Sequence, residues 1–139
     1  MDQEAIFAPM GAMALLTFTV LLLVPIARFR AAFAGQVTVD DFKLGESQSV
    51  PANVSLPNRN YMNLLELPTL FFPACLMFYV THHVTAAAID LAWVFVALRL
   101  THSLIHVSYN NVRHRLVAFT LGNGALGALW VMFFVHKAA

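Results

Sequence analysis

Charged side chains are scarce in this chain: Asp, Glu, Lys and Arg make up 11% of its 139 residues. A soluble domain carries about 25%, so a protein that surrounds itself with water is excluded. Cysteine is nearly absent. The single Cys75 rules out an intrachain disulfide. Its neighbours Ala74 and Leu76 supply none of the electropositive, wet surroundings that a reactive thiol needs. Internal repeats and low-complexity stretches are missing too. The one glycine-rich stretch, Gly122-x-Gly124-x2-Gly127, imitates part of a dinucleotide fingerprint, but no strand precedes it. On a helix, Gly124, Ala125, Gly127 and Ala128 would permit close helix contact, and Asn123 among them is placed to bond across an interface.

What the chain has in abundance is apolar length. Hydrophobic residues make up 60% of it, and the mean hydropathy is +0.72. Apolar runs near 5–27, 61–81, 84–107 and 116–136 each approach the roughly 20 residues that a spanning helix needs. The composition therefore predicts an all-α, integral membrane four-helix bundle subunit. Residues 1–139 form a single membrane domain with no room for a separate soluble one. The first run begins after Asp2 and Glu4 without a basic residue and exceeds the 7–15 residues of a signal-peptide core, so it is expected to remain as a membrane helix. Pro9 and Pro25 punctuate it. Asp90, Trp93 and Trp130 read as interfacial or packing residues.

The basic residues are unevenly placed. Arg28, Arg30, Lys43 and Arg59 lie in or beside the first connection, and Arg113 and Arg115 in or beside the third. The amino terminus and the second connection carry none, and Lys137 stands alone near the carboxy terminus. The positive-inside rule then puts connections 28–60 and 110–115 in the cytoplasm and both termini on the other side. Residues 28–60 form the only long connection, rich in turn residues such as Gly45, Pro51 and Pro57. The Thr81-His82-His83-Val84-Thr85 turn and the third connection are short, which forces helices two, three and four to pack as antiparallel neighbours. Membrane lipid is the expected surrounding, and no nucleic-acid partner is expected.

Polar residues in the apolar runs carry the functional signal. Arg59, Asn63 and Glu66 stand at i, i+4 and i+7, on one face of helix two. Arg99, His102, His106, Asn110 and Arg113 follow at helical spacing on helix three, flanked by Ser103 and Tyr109. A carboxylate near the middle of a membrane helix costs roughly 2.5–3.5 kcal/mol on insertion scales, so Glu66 needs a partner, and Arg99 is the simplest one. The remaining groups exceed what one ion pair requires. They suit an anionic or zwitterionic ligand, because Arg matches carboxylates and a carboxylate suits an ammonium group. Interhelical hydrogen bonding is the structural alternative. His102-x3-His106 alone falls short of the three protein ligands usual for catalytic zinc, so no metal site is expected.

Arg59-x3-Asn63-x2-Glu66, followed by Arg99-x2-His102-x3-His106 and a basic turn, resembles the MAPEG family of membrane-associated proteins in eicosanoid and glutathione metabolism, in particular its bacterial-type members. The resemblance implies a homotrimer with glutathione held between subunits near the cytoplasmic side. Carried over, Arg59, Asn63 and Glu66 would hold the tripeptide's charged ends, Arg99 would brace Glu66, and His102 and His106 would line the pocket. Tyr109 would supply a hydroxyl. The thiol-activating arginine would be Arg113 or Arg115. The implied activity is a glutathione-dependent transferase or peroxidase acting on a lipophilic small molecule. Two departures stand out: His106 takes a stripe position where family enzymes often have tyrosine, and Leu116 rather than serine follows Arg115. They leave a non-catalytic lipid-binding or scaffold protein of the same fold as the alternative. A proton- or ion-handling subunit built on Glu66, Arg99, His102 and His106 is a third.

Overall fold

The structure, a computed structural model, describes the backbone of residues 2–138 and the side chains of residues 2–135. The side chain of Lys137 lies outside these described residues. All regular elements are helical: α1 (Phe7–Phe33), α2 (Ala52–Leu65), α3 (Phe71–Val80), α4 (Ala86–Val107) and α5 (Val112–Ala138). Four helical stretches among the described residues are long and apolar enough to cross a bilayer, with α2 and α3 together making the second.

A one-turn helix, Gln3–Ile6, leads into α1, and the Asp2 carboxylate caps it by accepting from the Glu4 N–H at 2.9 Å. Pro9 falls in the first turn of α1, where its missing N–H would have had no intrahelical partner. At the other end the chain leaves α1 through Gly35, at φ +67°. There the Gln36 N–H donates to the Ala31 carbonyl at 2.9 Å and the Gly35 N–H to the Ala32 carbonyl at 3.0 Å. That paired closure needs a left-handed residue, and glycine takes it without a side-chain clash.

The first connection is shorter than the sequence predicts. α1 continues past residue 27 to Phe33, and α2 begins at Ala52 rather than near 61, which leaves 34–51 outside the long helices. Polar residues misled the reading. Asn53, Asn58 and Arg59 lie on α2, whose other face buries Val54, Asn60 and Leu64. The connection has its own small core of Ala31, Val37, Val50 and Val54, with Phe42 packed on it. Around the turn Val39–Phe42, the Asp41 carboxylate accepts from the Thr38 N–H at 2.8 Å and from the Ser47 and Ser49 hydroxyls at 2.6 Å each. These bonds favour the ionised form and hold the Asp41 carboxyl well below its usual range, the Ser47 bond contributing most.

The second span is also not one straight helix. Pro68 offers no N–H and its ring crowds the Leu64 carbonyl, and it disfavours helix at the residue before it. The chain accordingly leaves α2 at Glu66 (φ −81°, ψ −120°), makes a turn over Leu67–Leu70 and resumes as α3. After the tight Thr81–Thr85 turn, the Thr85 hydroxyl caps α4 by accepting from the Ala88 N–H at 3.2 Å. Gln3 clasps this turn, its Oε1 accepting from the Val84 N–H at 2.9 Å. The start of α1 and the α3–α4 turn thus share one end of the bundle, and the 34–51 connection and the α4–α5 turn share the other.

α4 packs most extensively on α5, and α1 on α2, with α4 also touching α1 and α2. Stacked Phe71 and Phe95 (4.7 Å between centroids), Phe78 against Phe133, and fully buried Met13, Cys75 and Leu129 form a continuous core. Trp130 stacks on Phe134 as a packing residue. Trp93 and Asp90 are exposed on α4.

Candidate functional site

The polar face of α4 turns inward. Arg99, His102 and His106 are 0%, 3% and 4% exposed, so helical spacing does bring these three together inside the bundle. Arg99 does not pair with Glu66. Its Nη2 donates to the side-chain Oδ1 of Asn123 on α5, and its guanidinium lies 5.2 Å from the Phe95 ring centre and 4.9 Å from that of Phe119. Two aromatic faces and one amide replace the expected carboxylate. Asn123 therefore does bond between helices, within the chain. Gly122, one residue earlier, keeps α5 free of a side chain beside Arg99: a Cβ there would lie 3.5 Å from Arg99 Nε. The Arg99 Nε and Nη1 groups remain buried without a partner.

Glu66 is exposed, just past the end of α2 where the Pro68 break interrupts the helix. Among the described residues the ion pair found is Arg28–Glu46, at 3.1 Å, and Glu66–Arg99 is not formed within the chain. Arg59 is exposed on α2 as well, while Asn63 is half-buried. The amide that reaches the core is Asn60, whose Oδ1 accepts from the buried Ser103 hydroxyl at 3.2 Å and ties α2 to α4. Asn60 escaped the sequence reading. Its available signal was an i, i+4 relation to the apolar Leu64.

α4 ends at Val107, so the stripe cannot run on to Arg113. Asn110 sits in the turn at φ +49°, and the Asn111 side chain opens α5 by accepting from the Arg113 and His114 N–H groups at 3.0 and 3.2 Å. In that first turn Arg113 is exposed, and Arg115, half-buried, donates from Nη1 to the side-chain Oδ1 of Asn110. Tyr109 is exposed and its hydroxyl meets His114 Nδ1 at 3.0 Å, away from the buried stripe.

These placements leave a cavity of about 220 Å³ at the end of the bundle, lined by Asn63, His102, Val112, Arg115, Leu116 and Phe119. Its polar groups are under-used. Asn63 Oδ1, His102 Nδ1 and Arg115 Nε are buried without partners, as is Nδ1 of His106, whose ring lies 5.6 Å from that of His102. Buried polar atoms are normally satisfied, so this cluster is suited to a polar ligand. Among the described residues no three His, Cys, Asp or Glu side chains gather as a metal site. Of the predicted site residues, Asn63, His102 and Arg115 line the cavity and Arg99 and His106 adjoin it. Arg59, Glu66, Tyr109 and Arg113 lie outside it within one chain.

Four helical stretches long and apolar enough to cross a bilayer, with a partly polar cavity at one end, define a polytopic membrane protein. The MAPEG family model matches residues 6–135, nearly the whole length, and the chain belongs to the MAPEG family. Searches of curated proteins and of solved structures returned no match.

Proposed function

We propose that this protein is a thiol-dependent membrane transferase, with glutathione as co-substrate and a lipophilic electrophile drawn from the bilayer. The supporting observation is the cluster of unpartnered Arg115, His102 and Asn63 atoms around one cavity. Arg115 is the thiol-activating arginine in this reading, because it lines the cavity while Arg113 faces outward. A guanidinium beside the sulfur favours the thiolate, which is the nucleophile. The thiol proton leaves to water at the open mouth, the sulfur–carbon bond forms, and the leaving group or opened ring takes the electron pair. Val112, Leu116 and Phe119 supply the apolar wall against which the electrophile is held, so that proximity contributes to the rate.

Size argues for a second copy. At about 220 Å³ the cavity falls below the roughly 300–1,000 Å³ of complete ligand pockets, so one chain holds only part of a tripeptide. Arg59 and Glu66 stand exposed on the span that Asn63 shares. A charge such as Glu66 facing outward from a spanning segment is costly, and a neighbouring subunit packed there would cover it and complete the pocket. The homotrimer expected of the family provides such a neighbour. The positive-inside rule puts this end of the bundle at the cytoplasm.

Conjugation of glutathione to a generic electrophile tests the assignment. Arg115→Ala is expected to lower turnover by about 100-fold or more, the range seen when one transition-state donor is removed. Arg113→Ala should leave it near wild type. Equal activity of Arg115→Ala and wild type would refute the role given to Arg115.

One observation favours a second reading, a non-catalytic lipid-binding or scaffold protein. The cavity lining offers no hydroxyl, since Tyr109 is engaged with His114 outside it. That reading expects no glutathione conjugation in any variant.

A further inference from the structure

Two arginines stand near the start of α5, and they differ in what holds them. Arg113 is exposed, and its side chain has no hydrogen bond among the described residues. Arg115 lines the polar cavity, and its Nη1 donates to Asn110 Oδ1. An arginine side chain is long and rich in rotamers, so a fixed place beside a reacting atom has to be imposed on it. Among the described residues, the side chain that does so by hydrogen bonding is Asn110.

Asn110 is itself fixed by the backbone. Its N–H donates to the Ile105 carbonyl at 2.8 Å, and its φ of +49° lies in the left-handed region. Asparagine enters that region more readily than most residues with a side chain. The next residue has a different task. Asn111 Oδ1 accepts from the Arg113 and His114 N–H groups, and the Asn111 carbonyl accepts from the Arg115 N–H at 3.0 Å. The turn thus anchors both ends of the contact, Asn110 to α4 and Arg115 in α5.

The acceptor is also neutral. Among the described residues no carboxylate lies within ion-pair distance of Arg115. Asn63 of α2 and His102 of α4 are the other polar side chains lining the cavity, and His106 stands beside His102. A carboxylate at position 110 would grip the guanidinium as firmly but offset its charge. An amide grips it and leaves that charge to act on a neighbouring sulfur.

Resting on the reading of Arg115 as the thiol-activating arginine, we infer that Asn110 is a positioning residue: its side-chain oxygen holds the Arg115 guanidinium at the cavity and, being neutral, leaves the charge available to a bound thiolate.

Conjugation of glutathione to chlorodinitrobenzene by the full chain in detergent, measured over a pH series, tests this role. A thiolate-dependent rate rises with pH, and a cation at the sulfur moves that rise to lower pH. Asn110→Gly keeps the left-handed backbone without strain and removes only the amide. It should lower kcat roughly 10- to 100-fold, leave the KM for glutathione near wild type and move the rise to higher pH. Asn110→Asp keeps an acceptor but adds a negative charge, and it too should move the rise to higher pH. In an Arg115→Ala background, Asn110→Gly should cause little further loss, because the two residues act as one unit. A residue needed only for its backbone conformation would leave the glycine variant like wild type. Wild-type kcat and pH profile in Asn110→Gly would therefore overturn the inference, as would an unshifted rise in Asn110→Asp or a full additional loss in the double variant. Absence of conjugation by wild type is a separate failure: it overturns the transferase reading and the role of Asn110 with it.

Discussion

Arg99 shows what a single buried cation demands. It is fully buried, and its one side-chain hydrogen bond is to the neutral Asn123. Asn123→Ala should destabilise the folded protein by about 1–3 kcal/mol, the cost of leaving a buried group without its partner. Unfolding in detergent, followed by helical circular dichroism, measures this; a change within experimental error would mean that the Phe95 and Phe119 rings suffice. The sequence showed the residues but not the partner. Helical spacing correctly put Arg99, His102 and His106 on one face, because periodicity within a helix is local. Which acceptor lies opposite is decided by how α5 packs on α4, and the charge argument favoured Glu66 over Asn123. The spacing rule, carried across the Ser108–Asn111 turn, placed Arg113 on the stripe where the structure places Arg115 in the cavity.

At the scale of elements, apolar length located the spans well and their ends poorly. Hydropathy reports what lies in hydrocarbon, and α1 and α2 extend beyond it: residues 28–33 and 52–60 are helical despite their polar content. The Pro68 break was visible as a proline in an apolar run, but its consequence, ending α2 at Leu65 and restarting as α3 at Phe71, depends on local backbone geometry. The 34–51 connection is ordered by Asp41, and that makes it pH-dependent. The Asp41 carboxyl is held below its usual range by hydroxyl and N–H donors. A depressed folded-state pKa contributes stability that is fully present above the unfolded value, about 3.9, and is lost as pH falls through the folded value. The turn should therefore keep its order at pH 5 and loosen only in stronger acid, as read by amide hydrogen exchange at Ser47 and Thr38. Asp41→Asn should raise exchange there at neutral pH and remove the acid dependence. Unchanged exchange in that variant would contradict the role of the carboxylate.

For the molecule as a whole, the all-α membrane bundle was legible from composition alone. Scarce charge and four apolar runs leave few other architectures. The pocket was legible only in part: one chain brings Asn63, His102 and Arg115 together and leaves Arg59 and Glu66 outside. In the proposed function a neighbouring copy covers the exposed Glu66 and enlarges the cavity of about 220 Å³. Native mass spectrometry should accordingly find three chains of 15.4 kDa each in the particle. A monomer would leave Glu66 facing lipid and would count against a shared pocket.

Glutathione binding at the Asn63–His102–Arg115 cavity is measured by a thermal-shift titration of the purified protein. A ligand that binds only the folded state stabilises it by about 2.7 kcal/mol at 100 times its Kd. Reduced and S-alkylated glutathione should therefore raise the midpoint of wild type by several degrees in a saturable way, and Arg115→Ala should shift only at much higher concentration. No shift of wild type with reduced, oxidised or S-alkylated glutathione, or an equal shift in Arg115→Ala, would contradict it.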